Sequence, residues 1–324
     1  MRVFRGFRHP DLAPHCALTI GNFDGVHRGH QAMLALLTNE ARHRGLASCV
    51  MTFEPHPRDH FAALAGKAEA APRRIGTLRD KLSELERCGV EQTVVLRFDQ
   101  RLASLSPQAF IDDVLVRGVR ARYVLVGDDF RFGAKRAGDY AMLDAAGDGR
   151  GFDVARMMSY EVHGARVSSS AVRAALGAGD MELTAALLGR PYSISGHVQH
   201  GRKLGRELGF PTMNVRFKHP RPAAMGIFVV RAHGLGPDAL PGVANLGTRP
   251  TVDQAGSEVL LEVHCLRWPA QADHAYGRLV RVDLLAKLHD ELRYPSLQAL
   301  REGIANDVAQ AHGWFAAHPG SCAG

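Results

Sequence analysis

The first half of the chain alternates short apolar runs with residues at helical spacing. Residues 17–20 and 48–53 are apolar and bounded by polar or turn-forming residues, which predicts two buried strands. Between them, apolar residues recur on one helical face: Met33, Leu36, Leu37 and Ala41. Basic residues followed by Gly45 are typical of a helix end. A strand, a helix and a strand at this spacing predict a βαβ unit in a parallel sheet.

The same alternation continues to about residue 187. Residues 77–88 predict a helix capped by Thr77, and residues 107–116 predict another. Residues 92–98 and 123–126 predict further strands. Ligands of parallel sheets bind at the carboxyl ends of the strands, so the loops that follow these strands are candidate binding segments.

The pattern changes after Pro191, where short strands are separated by glycine and proline. Six strands at such spacing predict a small antiparallel β-barrel. They are residues 193–198, 212–217, 226–232, 242–245, 259–266 and 278–286. One helix follows, with Ser296 as its cap and Leu297, Leu300, Ile304 and Val308 on its buried face. The expected domains are residues 1–187 and 188–312, followed by a flexible tail at 313–324.

Composition describes a globular protein large enough for two domains. The chain has 324 residues, of which 46% are hydrophobic and 23% charged. Because no apolar run approaches the roughly 18 residues of a membrane span, we expect no membrane partner. The N-terminus lacks the apolar core of a signal peptide, and the five cysteines are scattered without a CxxC pair. These features favour reduced thiols and a cytoplasmic location.

The charge pattern favours small anionic ligands. The net charge is +7 and the pI is near 9.4, which suits anionic partners. Lysine and arginine occur singly or in short clusters and form no basic tail. We therefore expect nucleotide substrates rather than nucleic acid, and we leave weak self-association open.

The turn at residues 21–30 carries the clearest candidate chemistry. His27 and His30 are three residues apart at a predicted helix start, so their imidazoles share a face. The unpaired N–H groups and the positive end of the helix dipole form an anion site there. The glycines of this turn allow close approach of a phosphate chain. The site could stabilise charge during phosphoryl or nucleotidyl transfer, whereas a metal pair or surface histidines are the alternatives.

Two further segments of the first half could contact a ligand. Asp129, Phe130 and Phe132 follow a predicted strand, where they could bind an aromatic ligand or form a tight turn with two core phenylalanines. Residues 168–170 place three hydroxyls at a helix start, where they can cap the helix or donate to phosphate. Arg173 can reach the same anion, although capping alone would explain the serines.

In the second half, two strands carry polar side chains on one face. Thr212 and Asn214 share a strand face and offer hard oxygens suited to Mg²⁺ beside ATP phosphates. Glu262 and His264 share a face of a strongly apolar strand, and a carboxylate there could accept the proton of an attacking hydroxyl. Both sets could instead be solvated polar positions on the barrel exterior.

Several of these runs resemble one family in the same order along the chain. Residues 27–30, His-Arg-Gly-His, resemble the HxGH signature of the nucleotidyltransferase superfamily. Residues 21–31 resemble the bifunctional prokaryotic FAD synthetases, which join riboflavin kinase to FMN adenylyltransferase. Further runs resemble the same family: residues 52–57, 127–133, 168–173, 209–214, 242–251 and 260–264. The chain departs from the family pattern at Ser170, Met213 and His289, where threonine, alanine and arginine are usual.

The resemblance implies an N-terminal α/β adenylyltransferase and a C-terminal β-barrel kinase. It implies that riboflavin is phosphorylated by ATP with Mg²⁺ near Thr212 and Asn214 and with Glu262 as base. A second ATP would then convert FMN to FAD, with His27 and His30 as catalytic residues. The implied ATP and phosphate contacts are Gly21, Asn22, Phe23, Gly25, Gly29, Ser168, Ser169, Ser170, Arg173, Gly196, Gly201, Gly205 and Asn245. The implied flavin contacts are Asp129, Phe130, Phe132 and Arg293.

Two other functions remain open at the level of sequence. One is a nucleotidyltransferase for a different substrate, of the cytidylyl or pantetheine-phosphate type, with an unrelated barrel attached. The other is a flavin- or RNA-binding regulator that keeps the fold without turnover. Product analysis with riboflavin and ATP distinguishes the first, and a turnover assay distinguishes the second.

Overall fold

The computed structural model describes residues 1–158, 160–162, 165–201, 204–219, 221–249, 258–268 and 275–319. Contacts between residues divide the chain into two units. The first contains residues 1–72 and 81–168, and the second contains residues 73–80 and 169–324. The boundary expected at residues 187 and 188 lies further along the chain, after two helices that these contacts group with the second unit.

The first unit is built on a six-stranded sheet in which every pairing is parallel. The strand order is β1-β4-β3-β2-β5-β6. The strands are β1 (Arg2–Arg5), β2 (Cys16–Ile20), β3 (Ala47–Glu54), β4 (Gln92–Arg97), β5 (Ala121–Gly127) and β6 (Asp153–Met157). The parallel sheet confirms the βαβ prediction, and both edge strands lie outside the predicted set. A short hairpin, β7 (Glu161–Val162) with β8 (Ala165–Arg166), follows.

Helices connect these strands and continue beyond them. They are α1 (Arg28–His43), α2 (Pro57–Leu64), α3 (Leu78–Arg87), α4 (Gln100–Ala103), α5 (Pro107–Ala109, continued by a π-helical segment Phe110–Val116), α6 (Tyr140–Arg150), α7 (Ser169–Ala178) and α8 (Met181–Leu188). Helix α2 has no predicted counterpart. It begins directly at Pro57, because proline is tolerated at the first helical position, where its missing N–H would have no partner.

Helix α1 buries a different stripe from the predicted one. Leu34, Leu37 and Ala41 are its buried residues, whereas Leu36 is 51% exposed. The prediction for Leu36 is therefore wrong. At about 100° per residue, Leu34, Leu37 and Ala41 form one narrow stripe, and Leu36 lies well outside it.

We expect the two leucines to respond very differently to truncation. Leu34→Ala should lower the free energy of unfolding by about 2–5 kcal/mol, because it opens a cavity in the core. Leu36→Ala, at an exposed helical position, should change it by no more than about 0.5 kcal/mol. Urea unfolding followed by circular dichroism measures both. Equal effects would contradict the stripe described above.

The second unit contains a closed antiparallel barrel in the order β10-β13-β12-β11-β14-β9. Its strands are β9 (Tyr192–Gln199), β10 (Met213–Phe217), β11 (Gly226–His233), β12 (Leu240–Arg249), β13 (Glu258–Cys265) and β14 (Leu279–His289). The barrel confirms the predicted fold of the second half. A short helix, α9 (Leu204–Glu207), precedes β10, and α10 (Leu297–Ala317) follows β14.

Helix α10 packs on the barrel through its second half. Ala311 and Phe315 are buried in one apolar cluster with Val229 and Val243. Ser296 caps the helix as predicted, since its Oγ accepts a hydrogen bond from the Ala299 N–H at 3.1 Å. Leu297 is 62% exposed, so its predicted burial is wrong. The flexible tail predicted from residue 313 is also wrong as far as Ala317, where the helix ends; residues 320–324 lie outside the described part.

Within the described residues, no helix is both long enough and apolar enough to cross a membrane. Four of the five cysteines are described, and Cys16, Cys49, Cys88 and Cys265 are thiols rather than disulfides. Cys322 lies outside the described part of the chain.

Candidate active sites

The first candidate site is the histidine pair at the start of α1. His27 is the N-cap, and its Nδ1 accepts a hydrogen bond from the His30 N–H at 3.3 Å. The two imidazole rings stack with their centroids 3.7 Å apart, which confirms that they share a face. Because Nδ1 of His27 is an acceptor, a neutral ring must carry its proton on Nε2. The N-cap bond thus fixes both the position and the tautomer of His27.

His30 lies in an environment that disfavours its charged form. Burial is the main cause, and the neighbouring His27 and the Lys81 ammonium add repulsion, so the pKa of His30 falls well below its ordinary value. His30 is therefore neutral at physiological pH. Its Nδ1 is buried without a hydrogen-bond partner among the described residues. A strongly perturbed group with an unsatisfied polar atom is a common feature of active sites.

The turn before α1 has a constrained backbone. Gly25 adopts a φ of +84°, and Phe23 and Val26 adopt φ values of +48° and +41°. A positive φ is costly for side-chain-bearing residues and is most unusual for a β-branched one, so the surrounding packing must hold this turn. The Phe23 ring provides part of that packing. It is buried, and it lies 4.9 Å from the His30 ring.

The glycines of this turn make room for those rings. A Cβ on Gly21 would lie 3.1 Å from the Phe23 ring, and one on Gly29 would lie 3.3 Å from the His27 ring. The Phe23 side chain therefore supports the turn from inside, and its predicted contact with phosphate stays a prediction. For Gly21, Asn22, Gly25 and Gly29, phosphate binding stays a prediction.

Lys81 belongs to this site but is absent from the predicted set. Its Nζ donates to Thr52 Oγ1 at 3.2 Å, and that hydroxyl donates to the Asn22 carbonyl at 3.2 Å. Lys81 is only 5% exposed. Burial of an ammonium group is rare without a specific role. Its position among the apolar residues of an amphipathic helix was a usable signal, since a lysine is out of place on a buried stripe.

The segment at residues 127–133 contains both an exposed carboxylate, Asp129, and a core residue, Phe132. The Asp129 carboxylate is largely exposed and pairs with Arg166 at 3.5 Å, and Asp128 pairs with the same guanidinium at 3.4 Å. Phe130 stacks on Phe132 at 5.5 Å, but Phe132 is 6% exposed and belongs to the core of the unit. The structure thus favours the core alternative for Phe132. A flavin contact stays a prediction for Asp129 and Phe130.

The serine run lies at the start of α7 as predicted. Ser168 precedes the helix, and Ser169 and Ser170 occupy its first turn. Arg173 is engaged within the second unit, where its Nε donates to the Arg73 carbonyl at 2.7 Å. The binding of a shared anion by the serines and Arg173 stays a prediction.

The second candidate site is a row of polar residues across three barrel strands. Asn214 of β10 lies directly opposite Glu262 of β13, and Glu262 lies opposite Asn245 of β12. Opposite residues of antiparallel strands have Cβ atoms about 4.5–5.5 Å apart and share a face. Glu262 is half-buried between the buried residues Leu261 and Val263, so its carboxylate lies on the other face of the strand.

This row lines a cavity of about 230 Å³ in the second unit. Five of the predicted site residues line it: Gly205, Thr212, Asn214, Asn245 and Glu262. Its other wall comes from the loop after β14 and from Leu300, Ile304 and Asp307 of α10. Gly196, Gly201 and Arg293 do not line the cavity, although the neighbours of Arg293 on both sides do.

Three glycines permit close approaches around this row. A Cβ on Gly201 would lie 2.4 Å from Asn214 Nδ2, and one on Gly205 would lie 2.4 Å from the Phe210 carbonyl and 3.3 Å from Thr212 Oγ1. Both glycines therefore help to place the predicted metal ligands. Gly196 pairs within the barrel, where a Cβ would lie 2.7 Å from Val215. Its observed role is packing, and its contact with ATP stays a prediction.

Two amide oxygens of the row lack a partner. Oδ1 of Asn214 and Oδ1 of Asn245 are buried and accept no hydrogen bond from the described residues. A buried acceptor without a partner costs about 1–3 kcal/mol, so each oxygen is suited to a ligand or a cation. The Asn245 amide donates from Nδ2 to Glu291 Oε1 at 3.2 Å. Glu291 lines the cavity as well and is absent from the predicted set.

His264 and His289 complete the polar lining. Nδ1 of His264 lies 2.8 Å from the Pro211 carbonyl, which fixes the strand start that carries Thr212. Nε2 of His289 lies 2.8 Å from Asp307 Oδ1. The second contact joins residues 18 positions apart in different elements, so no local pattern in the sequence signals it.

Comparisons with known proteins match both units. The FAD synthetase family model matches residues 9–171, and the riboflavin kinase model matches residues 188–315. A protein of Escherichia coli K12 named bifunctional riboflavin kinase/FMN adenylyltransferase is 46% identical over 317 residues, which cover 97% of this chain and 98% of that protein. The chain belongs to the bifunctional riboflavin kinase/FMN adenylyltransferase family. The kinase match excludes the alternative in which the barrel is unrelated.

Other members of this family are similar over the same length. The protein of the same name from Pseudomonas fluorescens is 45% identical, and the match covers 96% of this chain and 97% of that protein. The protein of the same name from Haemophilus influenzae is 39% identical, and the match covers 97% of this chain and 99% of that protein. A solved structure from Streptococcus pneumoniae, described as a macrolide-efflux protein, superposes on this chain with a TM-score of 0.76. The two sequences are 25% identical, and the match covers 97% of this chain and 100% of that one.

Proposed function

We propose that the second unit phosphorylates riboflavin with ATP and that the first unit adenylylates the resulting FMN with a second ATP. The products are FAD and pyrophosphate. One observation carries the kinase half: a carboxylate stands between two asparagines with unsatisfied oxygens in a cavity of about 230 Å³. The stacked histidines at the start of α1 carry the other half.

In the kinase reaction, Glu262 accepts the proton of the terminal ribityl hydroxyl of riboflavin. The hydroxyl oxygen forms a bond to the γ-phosphorus of ATP as the bond to the β-phosphate oxygen breaks, and ADP leaves. A general base positioned in this way contributes about 10²- to 10⁴-fold to the rate. The apolar lining by Val243, Leu300 and Ile304 suits the flavin ring system.

The residues of this cavity fit Mg²⁺. Thr212 and Asn214 supply hard oxygens, and Oδ1 of Asn214 is a buried acceptor without a partner. Among the described residues, no group of three or more histidine, cysteine or acidic side chains is arranged to hold a metal. The ion would therefore take its other ligands from ATP phosphates and water, as Mg²⁺ usually does. When bound, it neutralises charge on the β- and γ-phosphates.

In the adenylyl transfer, a phosphate oxygen of FMN attacks the α-phosphorus of ATP and pyrophosphate leaves. No covalent enzyme intermediate is needed, because positioning and charge stabilisation supply the catalysis. His27, with its proton on Nε2, and the first N–H groups of α1 donate hydrogen bonds to phosphoryl oxygens. The neutral state of His30 avoids a second buried positive charge beside Lys81.

One assay tests both halves. The purified chain is incubated with riboflavin, ATP and Mg²⁺, and the flavins are separated over time. FMN should appear first and FAD should follow it. Absence of both products would favour the non-catalytic regulator, and absence of FAD alone would leave the adenylyl acceptor open. The lack of nucleic-acid and membrane partners, weak self-association and a cytoplasmic location stay predictions.

Asn214→Ala tests the metal assignment. The change removes one proposed Mg²⁺ ligand. The Mg²⁺ concentration for half-maximal FMN formation should therefore rise by about tenfold or more, which corresponds to the free energy of one charge-assisted contact. FAD formation from supplied FMN should keep its Mg²⁺ dependence. Gln199→Ala is the matched control, because Gln199 lies opposite Asn214 but outside the cavity. An unchanged Mg²⁺ dependence of Asn214→Ala would contradict the assignment.

A further inference from the structure

The His289 ring lies between two hydrogen-bond acceptors. Nδ1 is 2.7 Å from the Asp290 carbonyl oxygen, and Nε2 is 2.8 Å from Asp307 Oδ1. A carbonyl oxygen can only accept, so Nδ1 must carry a proton. An ionised carboxylate can also only accept, so Nε2 must carry one too. Both contacts are made together only by the imidazolium form of His289, unless Asp307 itself keeps the proton.

The charges around His289 favour that form. On its own segment, Asp290 is paired with Lys287 at 2.5 Å, and Glu291 follows. Helix α10 presents Asp307, which is buried, and the loop presents Tyr294. Across the cavity lie Glu262 and His264. Burial opposes the charge, but the hydrogen bonds to the Asp290 carbonyl and to Asp307, with the two carboxylate charges, outweigh it and raise the pKa of His289.

The pair joins two elements that form one wall of the cavity. His289 is the last residue of β14, and Asp307 lies in the middle of α10. Two residues after His289, Glu291 accepts the hydrogen bond from Asn245, the row neighbour of Glu262. Tyr294 lies so close to α10 that a Cβ on Gly303 would be 2.3 Å from its hydroxyl. The segment at 290–294 is therefore held between the barrel and the helix, with the His289–Asp307 bond at its start.

We propose that His289 and Asp307 form a pH-sensitive positioning pair that holds this wall against riboflavin, and that riboflavin binding weakens when His289 loses its second proton. The inference rests on the proposed assignment of the cavity to riboflavin. His289 is a positioning residue, because it acts through the wall and through Glu291 rather than on the reacting atoms.

The direction of the pH effect follows from the direction of the shift. A histidine whose folded-state pKa is raised stabilises the structure fully below its ordinary value of about 6.5. That contribution is lost as the pH rises through the raised value. The hydrogen bond that holds the wall is therefore lost at high pH, so riboflavin should bind best on the acidic side and more weakly towards pH 9. Protonation of the general base Glu262 has the opposite pH dependence, because it lowers the rate of FMN formation at low pH.

The test is the pH dependence of the KM for riboflavin in FMN formation, measured between pH 6 and 9 on the full chain. The KM should rise by about tenfold towards high pH, which corresponds to the free energy of one charge-assisted hydrogen bond. The kcat should change little. His289→Arg keeps a permanent donor and should give a flat KM. Asp307→Asn should also give a flat KM, because its amide can donate to a neutral imidazole or accept from a charged one. His233→Gln, which removes a histidine–aspartate pair outside the cavity, should keep the wild-type profile.

A wild-type pH profile in both His289→Arg and Asp307→Asn would overturn the proposal. A second measurement does not depend on the folding of those variants. In the wild-type chain at pH 6, below the ordinary histidine pKa of about 6.5, the imidazole ¹⁵N shifts of His289, identified by their loss in His289→Gln, should show both nitrogens protonated. A neutral tautomer would overturn the proposal as well. Failure of the cavity assignment has a separate signature, namely full kinase activity in Glu262→Gln.

Discussion

Glu262→Gln should lower the rate of FMN formation from riboflavin by about 10²- to 10⁴-fold, the usual weight of a general base. The amide keeps the size of the side chain and its place opposite Asn214 and Asn245. It cannot accept the hydroxyl proton at physiological pH. The expected loss is therefore in kcat, with the KM for riboflavin little changed. Initial rates of FMN formation measure both constants.

The other reaction serves as the internal control for Glu262. FAD formation from supplied FMN should proceed at the wild-type rate in Glu262→Gln, since Glu262 lies in the second unit. Glu302→Gln, an exposed change on α10, should leave FMN formation unaffected. Normal riboflavin phosphorylation by Glu262→Gln would show that this carboxylate is not the base.

His27→Ala and His30→Ala should each lower FAD formation by about 10²- to 10³-fold, as loss of a donor to a charged transition state usually does. His27→Ala removes the ring that donates from Nε2 and also the N-cap acceptor of α1. His30→Ala removes the ring stacked on it. FMN should therefore accumulate in both variants when they receive riboflavin and ATP. Chromatographic separation of the flavins over time gives the two rates separately.

The control for the histidines lies at the opposite end of the same helix. His43 is exposed in the last turn of α1, so His43→Ala should form FAD normally. If His27→Ala or His30→Ala lost FMN and FAD together, the two units would not hold independent sites. Thermal unfolding of each variant distinguishes a loss of chemistry from a loss of fold.

Local patterns in the sequence were sufficient for most of the architecture. The βαβ unit at residues 17–53 combines buried strands with a helix that has a clear start and end, and each feature can be read within a few residues. The six barrel strands follow from the same logic, because turn residues bound every one of them. Edge strand β1 escaped prediction because it has four residues and mostly exposed positions.

Features that depend on packing between distant residues were not predictable in this way. The burial of Leu34 rather than Leu36 depends on where the sheet lies against α1. The core position of Phe132 depends on its contact with Phe110. The place of Lys81 on an apolar helical stripe is visible in the sequence, but its hydrogen bond to Thr52, which lies 29 residues away, is not. The His289–Asp307 bond joins two elements whose relation only the folded chain establishes.

The row of residues across the barrel links activity to strand register. The strand pairing continues the row of Asn214, Glu262 and Asn245 to Gln199 on one side and to Ile227 and His289 on the other. Side chains alternate between the two faces of a strand, so a slip of β13 by a single residue would place Glu262 among the apolar side chains inside and bring Leu261 or Val263 to the cavity. Phosphorylation of riboflavin should thus vanish in one step when the barrel opens, with no partly active intermediate in which only some strands are paired.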